Sequence, residues 1–161
     1  MQKISICLWY DDKAEEAANF YVSVFKNGRL GRIARYGAAG SEAAGRPQGS
    51  VMTVEFELFG QQFLGLNGGP EFKFSEASSL VVNCASQREV DEFWEKLAKG
   101  GQELPCGWVK DKYGLAWQIT PTILPELLHD KDAAKAERVM KAMLQMKKID
   151  VEKLQEAARG K

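Results

Sequence analysis

The feature that most restricts the fold of this chain is an internal duplication. Asp12-Lys13-Ala14-Glu15 opens a helical pattern with apolar positions at Ala17, Phe20, Tyr21, Val24 and Phe25. Ser86-Gln87-Arg88-Glu89 opens a second, with Val90, Phe93, Trp94 and Leu97. Phe20 corresponds to Phe93, Tyr21 to Trp94 and Gly28 to Gly101, all at one constant offset. Apolar residues recurring at three and four positions mark a helix packed on one face. Both starts carry an oxygen-bearing residue with Glu three positions on, the pattern of a capping box. Asn27-Gly28 and Gly100-Gly101 offer left-handed geometry to close each helix.

Strand-like runs flank both helices: 4–10 and 80–84 before them, 29–36, 51–59 and 62–67 after the first, 103–109 and 115–120 after the second. This order predicts an α+β fold of two βαβββ-type modules, residues 1–70 and 78–121, within one domain spanning 1–121. The second module shows one strand fewer than the first. The stretch 37–49 is rich in Gly, Ala and Ser and lacks periodicity. It reads as a mobile loop, either a functional lid or a disordered hairpin tip. From Pro121 the pattern turns helical, giving a C-terminal extension over 122–161. Helices are expected at 124–129, at 132–147 and, capped by Asp150, at 151–159. Ala136, Val139, Met140, Met143 and Met146 share one side of the middle helix. This Met-rich stripe suits packing against the sheet, a dimer interface or a cover over a cleft.

Charge and cysteine usage narrow the partners. Lys plus Arg and Asp plus Glu number 22 each, a balance without the electrostatic footprint of a nucleic-acid or anionic-membrane binder. No apolar run approaches the roughly 20 residues of a membrane helix. Residues 1–5 lead into a strand pattern without a basic and then apolar leader, so no secretory signal is read. Cys7, Cys84 and Cys106 are odd in number, which fits reduced thiols in the cytoplasm.

Several blocks together resemble one family. They are Leu8-Trp9-Tyr10-Asp11, Ala14-Glu15-Glu16-Ala17, Asn19-Phe20-Tyr21, Val51-Met52-Thr53-Val54-Glu55-Phe56 and Leu66-Asn67-Gly68-Gly69-Pro70. Later blocks are Cys106-Gly107-Trp108, Lys110-Asp111-Lys112-Tyr113-Gly114 and Trp117-Gln118-Ile119, with Leu124-Pro125-Glu126-Leu127-Leu128 and Met143-Leu144-Gln145-Met146-Lys147-Lys148 in the tail. The chain resembles PhnB-like proteins of the vicinal oxygen chelate (glyoxalase/bleomycin resistance/dioxygenase) superfamily, in a subgroup often labelled demethylubiquinone methyltransferase. The resemblance implies one curved mixed sheet around a cup-shaped cleft for small molecules, and a homodimer. In the superfamily's enzymes four side chains, two per module, hold a divalent metal that chelates vicinal oxygens of the substrate.

Carried onto this sequence, the ligand positions fall on Ser5 and Ser79 at the module starts. In the last strands they fall on Gln118 and on Leu64, or Gly65 or Asn67 if the register differs. Of the first-choice positions only Gln118 is a type the superfamily uses. Divalent ions want imidazole or carboxylate donors, which hydroxyls and amides replace poorly. No metal and no cofactor are therefore expected. Glu55 and Glu57 share a strand face by alternation and read either as a rescue of the site or as an exposed face. His129, the single histidine, sits in the tail beside Asp130 and reads as a solvated helix end. With no histidine near, Cys7 and Cys106 lack the base a nucleophilic thiol wants. Asn67-Gly68-Gly69-Pro70 does not open a helix and so does not match a nucleotide or methyl-donor loop; it reads as a turn.

A cleft lining remains: Ser5, Cys7, Trp9, Asn67, Ser79, Asn83, Trp108 and Gln118. Of the four tryptophans, Trp94 belongs to a helix stripe, whereas Trp9 and Trp108 suit a pocket wall or simple core filling. The leading expectation is metal-free binding of a small organic molecule. The alternatives are a metal-dependent lyase or dioxygenase, the methyltransferase of the subgroup's label, or a structural or regulatory dimer without a small ligand.

Overall fold

The computed structural model describes residues 2–160. Its contacts divide the chain into two compact units, one ending at Phe74 and the other beginning at Ser75. Each is considered by itself.

The first unit runs β1 (Ile6–Tyr10), α1 (Ala14–Val24), β2 (Arg29–Arg35), α2 (Ala38–Ala44), β3 (Val51–Leu58) and β4 (Gln61–Asn67). Its strands form a four-stranded sheet in the order β1-β4-β3-β2. β1 is parallel to β4, and the other neighbours are antiparallel. The parallel pair follows from the helical crossover, which returns the chain in the same direction. α1 buries Ala14, Ala17, Ala18, Tyr21 and Val24 against this sheet. Small residues bring the helix close: a Cβ on Gly65 would lie 3.2 Å from the Ala14 Cβ and 2.9 Å from a Val54 methyl. Tyr21, Phe56 and Phe63 fill the layer between, the last two stacked with centroids 5.0 Å apart. Each such buried side chain contributes roughly 1.5–3 kcal/mol.

The second unit repeats the scheme with β5 (Ser79–Cys84), α3 (Gln87–Ala98), β6 (Gln102–Glu103), β7 (Trp108–Lys110) and β8 (Ala116–Pro121), in the order β5-β8-β7-β6. The strand missing from the sequence pattern is present. The run 103–109 is not one strand but a hairpin, turning at Pro105, Cys106 (φ 59) and Gly107 (φ 82). Periodicity cannot show a turn whose flanking strands are only two and three residues long. Val90, Trp94 and Leu97 of α3 pack on Val82, Cys84, Val109, Trp117 and Ile119, all buried.

The two capping expectations part company. Ser86 caps α3 through the Glu89 amide, and the Glu89 carboxylate accepts from the Ala85 amide at 2.7 Å. At α1 no side chain of the local sequence caps the helix. The Ala14 amide instead donates to the Asn67 Oδ1 at 2.8 Å, from the far end of β4. Gly100 takes the left-handed conformation (φ 77), but Gly28 does not. Its role is close approach, since a Cβ there would lie 2.8 Å from the Val22 Cα.

The stretch 37–49 also differs from its expectation. It contains the helix α2, closed by Gly45 in the left-handed region and tied at its neck by Tyr36 and Ser50 backbone bonds. None of its residues is buried, so it lacks the apolar stripe that would have revealed it.

The tail forms α4 (Ile123–Leu128), α5 (Ala133–Leu144) and α6 (Val151–Arg159), the last capped by Asp150 as its sequence suggests. Leu124, Val139, Ile149 and Leu154 make a core of their own, against which Met143 and Met146 pack. Val139, Met143 and Met146 of the stripe therefore serve the tail's own cluster. No helix among the described residues is long and apolar enough to cross a membrane.

Candidate functional site

Each sheet has one face covered by its helix and one opposite face, and alternation sorts the candidate residues between them. On β1, Leu8 and Tyr10 are buried, while Cys7 is exposed and Trp9 half-buried on the other face. Ser5 lies exposed just before the strand. Register pairs Cys7 with Leu64, so Leu64 occupies the open face and Gly65 the helix face. Of Leu64, Gly65 and Asn67, Leu64 is the one on the open face.

Asn67 lies on the helix side and is only 5% exposed. Its carboxamide is committed, accepting from Ala14 N and donating to Val51 O at 3.1 Å. The residue thus organises the unit's interior and does not join Cys7 and Trp9. Trp9 is itself held rigidly. Its Nε1 donates to Gly69 O at 2.8 Å, and Phe72 meets it edge-on at 4.9 Å. The Asn67-Gly68-Gly69-Pro70 motif continues the β1 ladder, Gly68 N donating to Tyr10 O and Gly69 N to Asp11 O. A Cβ on Gly68 would collide with the Trp9 ring at 2.2 Å, so glycine there is what admits the indole. Phe72 escaped the sequence reading, because an isolated aromatic after a turn carries no periodic signal.

Glu55 and Glu57 do share the open face, and both are paired. Glu55 takes a two-pronged hydrogen bond from Arg32, at 3.0 and 2.7 Å. Glu57 pairs with Arg29 at 2.8 Å and is held by the Gln62 amide. The hydrogen bond from Arg32 keeps the Glu55 carboxyl below its ordinary range. Partial burial raises the Cys7 thiol, which works against a thiolate nucleophile.

In the second unit the open face carries Ser79, Val81 and Asn83 of β5, Gln118 and Thr120 of β8, and Trp108 of β7. Register sets Val81 beside Gln118 and Trp108 opposite Gln118. Gln118 Nε2 donates to Ser79 Oγ at 2.9 Å. Lys110, two residues beyond Trp108, pairs with Glu76. Thr120 was missed, although alternation from Gln118 points to it. The other two tryptophans lie inside: Trp94 donates to Glu103 and Trp117 to the buried Asp111. His129 stands exposed at the end of α4, its Nδ1 2.7 Å from Pro125 O.

These faces can be set against known proteins. Residues 2–120 match the family model described as 3-demethylubiquinone-9 3-methyltransferase. The PhnB protein from Bacillus cereus is 36% identical, with a TM-score of 0.67 over 75% of this chain and 100% of that one. The chain belongs to this PhnB-type family of the vicinal oxygen chelate superfamily. Two more distant solved structures share the fold. A protein from Pseudomonas aeruginosa is 18% identical, with a TM-score of 0.60 over 75% of this chain and 98% of that one. The fosfomycin resistance protein FosX from Listeria monocytogenes, solved with Mn(II) and 1S,2S-dihydroxypropylphosphonic acid, is 16% identical, with a TM-score of 0.51 over 73% of this chain and 90% of that one. No curated protein sequence matches at a significant level.

A metal fits poorly at the superfamily's positions in this PhnB-type protein. The first unit offers Ser5 and the aliphatic Leu64. The second offers Ser79 and Gln118, whose hydroxyl and amide already bond to each other. Neutral oxygens without a carboxylate or imidazole give a divalent ion no anionic or strongly basic donor. The nearby carboxylates Glu55 and Glu57 are neutralised by arginines. Among the described residues no three His, Cys, Asp or Glu side chains gather into a metal-binding group.

Proposed function

We propose that this PhnB-type protein binds a small, planar or amphipathic organic molecule on its open sheet faces, without a metal. The observation that carries the reading is the Gln118–Ser79 hydrogen bond beneath the Trp108 position. At two of the positions that the resemblance implies for metal ligands, this chain holds a hydrogen-bonded amide–hydroxyl pair beside a half-buried indole. Such a patch offers one donor and acceptor set on an apolar wall, the usual make-up of a small-molecule site. Within the second unit Asn83 and Thr120 extend the lining, Ser5, Cys7 and Trp9 form a candidate face of the first unit by itself, and a homodimer in the cytoplasm belongs to the same reading.

The test uses anilinonaphthalenesulfonate as an amphipathic probe, with metal analysis of the same preparation. Trp108→Phe and Gln118→Ala should each weaken probe binding several-fold and leave the metal content negligible. A stoichiometric transition metal, or probe affinity indifferent to both substitutions, would refute the proposal. The description of the family favours a second reading, methyl transfer. Its test is a titration with S-adenosylmethionine followed by tryptophan fluorescence. The Gly68-Gly69 segment extends a strand ladder and cradles Trp9, so it provides none of the phosphate- or donor-binding turn that doubly wound folds use. On that ground no saturable response is expected.

A further inference from the structure

The family match ends at residue 120, yet the tail beyond it is bonded into the second unit at specific points. Cys106 N donates to Met146 O at 2.8 Å and Gly107 N to Lys147 O at 2.7 Å. These two amides belong to the left-handed pair that immediately precedes Trp108. Gln87, the first residue of α3, grips the same tail segment from the other side. Its Nε2 donates to Ile149 O at 3.0 Å, and its Oε1 accepts from Val151 N at 2.8 Å. Lys148 adds an ion pair to Asp91 at 2.6 Å. Ile149 is 1% exposed, and its side chain lies 3.0 Å from where a Gly107 Cβ would stand.

Cys106 needs outside help to stay where it is. A residue with a Cβ is disfavoured at positive φ and persists there when surrounding bonds over-determine it. The tail carbonyls supply those bonds. Gly107 then passes the constraint to the sheet, since Ile119 N donates to its carbonyl at 2.7 Å.

We propose that segment 146–151 is a strap that sets the backbone of the Cys106-Gly107 turn, and so fixes the pose of Trp108 on the open face. Gln87 is its positioning residue. The inference rests on the reading of Trp108 as a ligand contact only for its consequence, not for the strap itself. It gives the extension a task in the site: tuning a ligand-facing indole from beyond the residues that the family model matches.

The test follows amide exchange and fluorine NMR of fluorotryptophan-labelled full-length protein, with Trp108→Phe to assign the resonance. In Gln87→Ala, protection of the Cys106 and Gly107 amides should fall about tenfold while β8 amides hold, as expected of local opening. The Trp108 resonance should shift with them. Gln87→Glu, which still accepts from Val151 N, should recover part of both effects. If Gln87→Ala fails to fold, the exposed pair variant Lys148→Ala with Asp91→Asn should show the same localised pattern, more weakly. Unchanged exchange at both amides, or a uniform loss across the unit with no localised change, would overturn the strap. Localised loss combined with probe affinity indifferent to Trp108→Phe would instead uphold the strap and remove the ligand reading.

Discussion

The two units share one topology but hold it together by different means. In the first, the parallel crossover is secured from a distance, by the Asn67 side chain at the end of β4 reaching the first amide of α1. In the second, α3 is capped by its own local sequence, Ser86 and Glu89. The second strand of each unit differs as sharply: β2 runs Arg29–Arg35, whereas β6 is only Gln102–Glu103. The shorter hairpin of the second unit is braced by the buried Asp111 and by the tail. A duplicated fold can thus keep its hydrogen-bond scheme while moving the burden of support between local and long-range contacts.

The largest effect should come from Asp111, which is 3% exposed. Its Oδ1 accepts from Tyr113 N and Leu115 N, and its Oδ2 accepts from Trp117 Nε1 at 2.8 Å. Asp111→Ala orphans these donors inside the protein, and each unsatisfied buried group costs about 1–3 kcal/mol. A loss of about 3 kcal/mol or more is expected by urea denaturation, beyond the range of surface substitutions. A change below about 1 kcal/mol would show that the second unit's hairpin does not depend on this residue.

Next comes a direct comparison of the caps. Asn67→Ala removes the α1 cap and a donor to Val51 O together, whereas Ser86→Ala removes one cap bond. Cap removal costs about 1 kcal/mol, and a buried orphan adds about 1–3 kcal/mol. The first substitution should therefore cost more than the second by at least about 1 kcal/mol. Equal costs would erase the distinction between long-range and local support.

How legible these features are from sequence follows the same division. Periodicity exposes both helices, and alternation sorts Cys7 and Trp9 from Leu8 and Tyr10, because both signals repeat within a few residues. The Ser86-Glu89 cap is legible because donor and acceptor are neighbours. Asp12 imitates that pattern at α1, but the cap is made by Asn67, far along the chain, and no local rule distinguishes the two. The same reason hides the strap: backbone carbonyls of 146 and 147 have no sequence signature at all. Of the proposed site, the chemical type of each position is readable, a hydroxyl at Ser79 and an amide at Gln118. Their mutual hydrogen bond required the register of β5 on β8.

Cys84 and Cys7 contrast the covered and open faces chemically. Burial, with a smaller contribution from Glu89, pushes the Cys84 thiol from 9.0 up to about 12. A raised folded-state value means the thiol's contribution to stability is whole below pH 9.0 and fades as pH climbs toward about 12. Cys84→Ala should therefore flatten the alkaline limb of the stability profile. In native protein at neutral pH, alkylation should reach the exposed Cys7 and spare Cys84. Equal labelling of the two would contradict the assignment of faces.

The smallest effect belongs to the arginines of β2. Every residue of this edge strand is exposed, and Arg32 meets Glu55 in a two-pronged pair with 81% and 37% of the two side chains open to solvent. Exposed pairs contribute about 0–1 kcal/mol, because water screens them and ordering two long side chains costs entropy. Arg32→Met should thus leave stability nearly unchanged, and change it less still at high salt. It should, however, release the Glu55 carboxyl toward its ordinary range, since the Arg32 hydrogen bond is the main cause of its depression. Carbon NMR of the Glu55 carboxyl across acidic pH reads this directly. An unmoved titration would mean that the pair does not persist in solution, leaving Glu55 as an available acid on the first unit's open face. That outcome would reopen the comparison, because the first unit, not the second, would then carry the more reactive face.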